Sequence, residues 1–408
     1  MQENEGIISA VYGITARQRL MLLIVVVFGH GVKHLLNSAF FILLPNIKAG
    51  MGFSNTQVGI LSAFRGISGG LANLPAGFIG DRYSSRRAGI LGLSIVLVSV
   101  FAFALGMATS FWVAVIAASL FSIAISFWHP SAISSLSREF TSRRGFAIAL
   151  HGTGGSVGET LGPILVGSLL MLMGWRMVLQ MSLIPGLLFG LVIWSLLRTV
   201  PVNNFSDSSL SEYWRSVVDL LSNGKLILVL IFAAGFAGGQ SAILTFLPIY
   251  LDENMGASSV TIGFYLSLAQ VGGIVSQPLL GYMSDRLGRK MILVPSLAIL
   301  GITFIALVAV PSGWMFGIVI LIMGAFLFPL MAILLAAAVD LAGIDSQATT
   351  VSLVFGAAIV VSAFVPALAG VLADAIATEA AFVFAGGLVL STSLLSGLTR
   401  WHPVEHGV

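Results

Sequence analysis

Long apolar runs separated by short polar segments make up most of the chain after residue 20. A helix needs about 20 apolar residues to cross the hydrocarbon core of a membrane, and these runs reach that length. Because the runs are continuously apolar rather than alternating, they disfavour a transmembrane β-barrel. The pattern predicts an all-α integral membrane protein with twelve transmembrane helices, at residues 20–46, 55–79, 88–108, 111–136, 145–172, 175–197, 224–250, 259–282, 291–311, 313–338, 347–373 and 379–399.

The composition excludes several other classes of protein. Of the 408 residues, 57% are apolar and only 9% are charged, whereas soluble domains carry about 25% charged residues. A mean hydropathy of +1.03 likewise excludes a soluble, disordered or coiled-coil chain. The net charge of +3 indicates no nucleic-acid partner, and the absence of cysteine excludes disulfides and thiolate sites. The first apolar run is too long for a cleaved signal peptide and predicts a retained helix.

The basic residues predict the orientation of these helices. Fifteen of the 19 lysines and arginines fall in segments on one side of the membrane, and only Lys48 and Arg176 fall on the other. Basic residues favour the cytoplasmic side, so both termini are expected in the cytoplasm. The protein itself is expected in the cytoplasmic (inner) membrane. The longest polar stretch, residues 198–223, predicts a linker between six-helix halves at 1–197 and 224–408. Part of it, Leu210 to Leu221, is a candidate for a helix on the membrane surface.

Two loops repeat the same sequence pattern. The loop after the second predicted helix reads GFIGDRYSSRR, and the loop after the eighth reads GYMSDRLGRK. Their aspartates, Asp81 and Asp285, lie 204 residues apart, which is half of the chain and indicates an internal duplication. The alternative is a plain loop that only sets topology. The matched pair favours a role in conformational gating for Gly77, Asp81, Arg82, Gly281, Asp285, Arg286 and Arg289.

With twelve predicted helices and a central linker, this repeated pattern resembles the signature of the major facilitator superfamily. Within it, the first half is similar to the fosmidomycin-resistance branch, in the segments 28–30, 127–130, 143–147 and 154–163. The resemblance implies a proton-driven exporter, some members of the branch exporting a small phosphonate antibiotic. Gly158, Gly162 and Pro163 resemble a motif of proton-coupled antiporters, although glycines four residues apart also form simple packing seams. Ser84 and Ser85 depart from the loop signature, and Lys33 and Glu159 depart from the branch.

Few Lys, Arg, His, Asp or Glu side chains lie well inside the predicted helices, away from their ends, and these fall in the first half: His30, Lys33, His34, Arg65, His129, His151 and Glu159. Such groups are costly in a membrane and are therefore functional candidates. Lys33 and Arg65 outnumber the one acid, Glu159, which predicts a positive cavity and an anionic substrate. Two structural alternatives remain open. For Lys33 the alternative is an ion pair with Glu159. For Arg65 it is hydrogen bonding to the backbone carbonyls of a broken neighbouring helix.

The candidate binding residues lie in both halves. His30, Lys33, His34 and Asn37 share one face of the first helix because their spacing is three, four and seven residues. Gln240, Tyr250, Gln270 and Gln277 are the candidate polar contacts of the second half. We expect the first half to hold the anionic group and the second half to hold the rest of the solute.

Glu159, His129 and His151 are the candidates for proton coupling, since histidine titrates near neutral pH. A single histidine inside a membrane is, alternatively, a hydrogen-bonding group between helices. A metal site is disfavoured because only His30 and His34 share a helix face.

These patterns predict a secondary transporter, with no enzymatic activity, no cofactor and no bound metal. The absence of a phosphate-binding GxxxxGK[ST] loop leaves an ion gradient, or the solute itself, as the driving force. We expect a monomer that moves a small organic anion coupled to protons, with export favoured. The alternatives are uptake by proton symport or anion exchange. A non-transporting sensor is less favoured because no loop is long enough for an output domain, and the repeated loops disfavour a passive channel.

Overall fold

The computed structural model describes residues 14–140, 144–201, 215, 218–342 and 347–400. Within these residues the fold is entirely helical, without a strand. It contains a 3₁₀ turn at Ser84–Arg86 and fifteen α-helices: α1 (Ala16–Met51), α2 (Asn55–Arg82), α3 (Arg87–Gly106), α4 (Phe111–Ser126), α5 (Trp128–Glu139), α6 (Arg144–Leu169), α7 (Trp175–Met181), α8 (Leu183–Leu197), α9 (Gly224–Glu253), α10 (Ser259–Leu287), α11 (Arg289–Ala306), α12 (Trp314–Leu327), α13 (Leu330–Ala342), α14 (Gln347–Ala375) and α15 (Glu379–Leu398).

Three consecutive helix pairs are single rods with a short interruption. The breaks fall at Phe127 between α4 and α5, at Ser182 between α7 and α8, and at residues 328–329 between α12 and α13. With these pairs joined, the described helices form twelve rods at the predicted positions, which agrees with the predicted fold. Ten of them are long and apolar enough to cross a membrane. The predicted surface helix at Leu210 to Leu221 falls mostly outside the described residues.

Side-chain oxygens cap the start of several helices. The Asn223 side chain accepts from the backbone amides of Lys225 and Leu226 at the start of α9. The Ser258 hydroxyl accepts from the amide of Thr261 at the start of α10. At the start of α2, the cap comes from a residue distant in sequence. The two Asp374 carboxylate oxygens accept from the backbone amides of residues 55 and 56, at 2.8 and 2.7 Å. These contacts satisfy amides that have no partner within the helix.

The contacts group the chain into two compact units. The first contains the described residues of 1–40, 68–162 and 172–207. In it, α3 packs against α4, α7 and α8. Its apolar core is built around Trp128, whose side chain is fully buried together with Leu22, Val26, Leu91 and Ile95. This core fixes the lateral position of α5 against α1 and α3.

The second unit contains the described residues of 41–67, 163–171 and 208–408. In it, α9 packs against α14 and α15, α10 against α12, and α11 against α15. An ion pair joins the end of α1 to the end of α9, where Lys48 Nζ lies 2.6 and 2.7 Å from the two carboxylate oxygens of Glu253. The predicted division into halves at 1–197 and 224–408 stays a prediction.

Glycines bring α6 directly against α1 within the first unit. A Cβ atom on Gly158 would overlap the carbonyl oxygen of Gly31, and one on Gly154 would overlap the carbonyl oxygen of Val27. The glycines at 158 and 162 therefore form a packing seam, as the simpler interpretation of their spacing holds. Gly152, on the same helix, has no neighbouring atom within 4 Å of an added Cβ.

This seam predicts a contrast between two substitutions in α6. Gly158→Ala inserts a methyl group into the Gly31 backbone and is expected to lower the free energy of unfolding by about 1–3 kcal/mol, the usual cost of overpacking. Gly152→Ala meets open space and is expected to leave stability unchanged or slightly higher, because alanine favours a helix. Thermal unfolding of both variants in detergent measures the difference. Equal stability of the two would show that the seam does not constrain α6.

Candidate functional site

The first helix carries three ionisable side chains into the interior of the first unit. Lys33 and His30 are 2% and 4% exposed, respectively, and His34 is half-buried. Spacings of three and four residues place all three on one face of α1. Asn37 lies one further turn along the same helix and is half-buried. The predicted polar face of the first helix therefore points into protein.

The ammonium group of Lys33 lies among histidine rings. Its Nζ atom is 2.6 Å from His129 Nε2 and 3.2 Å from His34 Nε2. His129 reaches this position because the break at Phe127 starts a new helix, α5, immediately before it. A protonated lysine only donates hydrogen bonds, so each imidazole nitrogen that accepts from it carries no proton.

His30 is fixed by a contact with the backbone of α6. Its Nδ1 atom lies 2.6 Å from the carbonyl oxygen of His151. A carbonyl only accepts, so Nδ1 of His30 carries the proton. The two imidazole rings also stack, with centroids 3.7 Å apart and an interplanar angle of 15°. His151 is 2% exposed, so this pair belongs to the interior of the unit.

Glu159 of α6 completes the cluster through His34. Its Oε1 atom lies 2.5 Å from His34 Nδ1, and the opposite ring nitrogen of His34 lies 3.0 Å from His30 Nε2. The carboxylate is therefore hydrogen-bonded to His34. A continuous line of hydrogen-bonding atoms runs from Glu159 through His34 to His30 and Lys33. We call these four residues, with His129 and His151, the histidine–lysine cluster.

Gly155 is a part of this site that the sequence reasoning missed. A Cβ atom on Gly155 would lie 2.6 Å from His30 Cε1 and 3.0 Å from His34 Cδ2. Only glycine leaves room for the two rings between α1 and α6. The glycine-rich segment 152–158 was the available signal, but its spacing alone does not tell which glycine faces the histidines.

Three of the histidines also have a spacing that suits a metal ion. Ring nitrogens of His30, His129 and His151 lie within 4.8 Å of one another, although they come from three different helices. The Lys33 ammonium is already in contact with His129, and a second cation beside it would meet strong repulsion in a buried site. The predicted absence of a metal therefore stays our prediction.

The remaining candidate binding residues belong to the second unit. The Arg65 guanidinium is half-buried, with its Cζ atom 5.0 Å from the centre of the Phe41 ring. Tyr250 is buried, and its ring centre lies 5.0 Å from that of Phe382. Among the glutamines, Gln240 and Gln270 are half-buried and Gln277 is exposed. Their role in substrate binding stays a prediction.

The second copy of the repeated loop is held by an ionic network. Arg289 Nε donates to Asp340 Oδ2 of α13 at 2.9 Å, and the same guanidinium donates to Asp285 and to the hydroxyl of Ser284. The turn itself requires glycine, because Gly288 has a φ of +96°. The Arg286 Cζ atom lies 4.9 Å from the Tyr282 ring centre. Gly281 has open space around it.

In the first copy of the loop the backbone continues α2 to Arg82, and Arg87 at its end pairs with Glu139, with Nη1 and Oε1 3.3 Å apart. The side chains of Asp81 and Arg82, together with the surroundings of Gly77, lie outside the described residues. The gating role of both copies stays a prediction.

An all-helical membrane fold with a buried charged cluster and a duplicated charged loop defines a multi-pass membrane protein of the secondary-transporter type. A family model described as Major Facilitator Superfamily matches residues 26–275 and 229–406. The chain belongs to this superfamily. The matched model covers the superfamily as a whole, so the fosmidomycin-resistance branch stays a prediction.

Curated relatives include transport proteins and a sensor. The chain is 22% identical over 311 residues to the membrane sensor protein UhpC of Salmonella typhimurium, covering 70% of this chain and 69% of that protein. It is 24% identical to the cis,cis-muconate transport protein of Acinetobacter baylyi, over 60% of this chain and 62% of that protein. A probable hexose phosphate transport protein of Chlamydia pneumoniae is 25% identical, over 76% of this chain and 75% of that protein.

Solved structures show the same fold. A bacterial homologue of the human lysosomal transporter Spinster, in an inward-facing and occupied conformation, matches with a TM-score of 0.78 at 17% identity, over 96% of this chain and 100% of that chain. A peptide transporter in complex with sulfate matches with a TM-score of 0.74 at 16% identity, over 92% and 93% of the two chains. At these identities the likeness concerns the fold alone.

The contact between Glu159 and His34 predicts different effects for two substitutions. Glu159→Ala leaves a partly buried ring nitrogen without a partner and is expected to lower the free energy of unfolding by about 1–3 kcal/mol. In Glu159→Gln the amide oxygen still accepts from Nδ1 of His34, so stability should remain near that of the wild type. Thermal unfolding of the two variants tests this. The contact would be unimportant for the fold if alanine and glutamine gave the same midpoint.

Proposed function

We propose that this protein is a proton-coupled secondary transporter for a small organic anion. The observation that carries the proposal is the contact of a buried ammonium group, Lys33, with two imidazoles, one of which is hydrogen-bonded to Glu159. This arrangement places a fixed cation and exchangeable protons within a few ångströms of each other. Both are needed in a carrier that moves a negative charge with protons.

The charge of the proposed substrate follows from the basic residues. Lys33 is a buried cation of the first unit, and Arg65 supplies a planar guanidinium suited to carboxylate or phosphate groups in the second. Relatives named for cis,cis-muconate, 4-methylmuconolactone and hexose phosphate support small and mostly anionic cargo. Gln240, Tyr250 and Gln270 are proposed to contact the uncharged part of the solute.

The proposed transport cycle uses two six-helix halves. Rocking of residues 1–197 against residues 224–408 exposes a midplane site to each side of the membrane in turn. The Arg289 network with Asp285 and Asp340 is proposed to hold the loop after α10 in one of these states. We propose a monomer in the bacterial inner membrane, with both termini in the cytoplasm and with no cofactor.

A membrane sensor is a second candidate function, because a relative named as a sensor, UhpC, aligns over 70% of this chain. A sensor binds its ligand without moving it across the membrane. Binding and transport therefore have to be measured separately. The proposal leaves the direction of transport open: the resemblance to the fosmidomycin-resistance branch favours export, and uptake is the alternative.

Ligand binding is predicted to be specific for anions and to depend on both Lys33 and Arg65. In a thermal-shift panel on the purified protein, cis,cis-muconate, glucose 6-phosphate or nitrate should raise the unfolding temperature, whereas cationic and neutral solutes should not. Lys33→Ala and Arg65→Ala should each abolish the shift, since each removes a positive charge of the proposed site. Lys225→Ala, which removes an exposed lysine of α9, should keep it. Stabilisation by cations alone would exclude an anionic substrate.

Transport is predicted to depend on a pH gradient. Proteoliposomes that contain the purified protein should accumulate the stabilising anion only when a proton gradient is imposed, because the titratable cluster contacts Lys33. Empty liposomes and Lys33→Ala protein are the controls. Accumulation that does not respond to the gradient would count against coupling through Glu159. Binding without any transport would favour the sensor.

A further inference from the structure

Some ring nitrogens of the histidine–lysine cluster have more polar neighbours than they can hydrogen-bond at one time. His34 Nε2 lies 3.0 Å from His30 Nε2 and 3.2 Å from Lys33 Nζ. An unprotonated imidazole nitrogen has a single lone pair and accepts one good hydrogen bond, whereas a protonated one donates one. The same atom positions therefore fit more than one distribution of protons.

Two distributions satisfy the contacts along the line from Glu159 to His30. In the first, a protonated Glu159 donates to His34 Nδ1, and His34 Nε2 donates to His30 Nε2. In the second, an ionised Glu159 accepts from His34 Nδ1, and His30 Nε2, now protonated, donates to His34 Nε2. His30 keeps its proton on Nδ1 in both, because the His151 carbonyl accepts from it. The second distribution places an imidazolium beside the Lys33 ammonium in a buried site, where the two cations repel each other, so the first distribution, with the added proton on Glu159, is favoured.

The charges of the cluster balance before this proton is added. With Lys33 as an ammonium group, Glu159 as a carboxylate and neutral imidazoles, the net charge of the cluster is zero. Adding one proton anywhere along the line makes the net charge +1. The titratable groups that face Lys33 within the described part of the first unit are His30 and His34 of its own helix, His129 of α5, and His151 and Glu159 of α6.

An anion is attracted to the protonated cluster and repelled by the carboxylate of the unprotonated one. Glu159 and His34 are the accessible end of the line, since their side chains are 27% and 16% exposed, whereas Lys33 is buried. An incoming anion therefore meets Glu159 first. By thermodynamic reciprocity, a bound anion also strengthens the binding of the proton.

From this geometry we propose that the proton and the anion bind the cluster together, so that the protein is a proton–anion symporter and not an antiporter. The inference rests on the proposed function, and it specifies how the two substrates are coupled. A symporter moves anions in the direction of the proton gradient. In a bacterial inner membrane that direction is uptake, the alternative to the export favoured by the sequence resemblance. Glu159 is the residue whose neutralisation prepares the site for the anion.

The sign of proton exchange on anion binding tests this proposal without any substitution. Purified wild-type protein in weakly buffered detergent solution, with a pH-sensitive dye, is mixed with cis,cis-muconate, or with glucose 6-phosphate if that anion gives the larger thermal shift. We expect proton uptake approaching one per bound anion. Above the midpoint of the cluster, the dissociation constant should rise about tenfold per pH unit, as expected for one linked proton. Proton release would show competition and overturn symport.

Two carboxyl variants locate the linked proton. Glu159→Gln makes the cluster permanently +1, so this variant should bind the anion with the same affinity at every pH and without proton uptake. Glu253→Gln removes a carboxylate of the Lys48 ion pair outside the cluster and should keep the proton uptake of the wild type. Proton uptake that persists unchanged in Glu159→Gln would overturn the role given to Glu159.

Proteoliposomes give the same distinction at the level of transport. A symporter accumulates the anion when the outside is acidic, and an antiporter does so when the inside is acidic, whichever way the protein is inserted. Accumulation with an acidic interior would overturn symport and leave proton-coupled anion transport standing. Failure of the wild type to bind any of the anions would instead defeat the proposed function, and symport with it.

Discussion

The burial of one ammonium group is the constraint on which the first unit depends. Lys33 is 2% exposed in a helix that crosses the membrane, where an isolated charge costs several kcal/mol. His129 and His34 accept its hydrogen bonds, and Glu159, which is hydrogen-bonded to His34, supplies a negative charge. Three helices must converge to provide these partners. The break before His129 and the glycine seam of α6 are what permit the convergence.

The same convergence provides the chemistry. A lysine that is surrounded by imidazoles is held in place, but the protons around it are not. Glu159, hydrogen-bonded to His34 and through it connected to His30, offers the position for one added proton. Because the charges of Lys33 and Glu159 offset each other, a single proton decides whether the site attracts an anion. Coupling then follows from electrostatics between neighbouring groups and needs no movement within the cluster.

The ends of the helices are tied by polar contacts of a different kind. Asp374 caps α2 from a position more than 300 residues away in sequence, and Lys48 and Glu253 join α1 to α9. Arg289 joins the repeated loop to Asp340 of α13. Each contact uses groups near helix termini, where water is available when the contact opens. They are suited to breaking and re-forming, unlike the buried cluster.

The sequence by itself determined the membrane class, the positions of the helices, the duplicated loop and the ionisable side chains inside the helices. It could do so because hydrophobic length and helical periodicity are local properties. It placed His30, Lys33 and His34 on one face of a helix. Only the tertiary structure decided their partners. Glu159 is hydrogen-bonded to His34, and Gly155 leaves room for the rings of His30 and His34. Such contacts depend on the axial register and separation of α1 and α6. A difference of one ångström there decides which nitrogen meets the carboxylate, and periodicity along one helix contains no information about it.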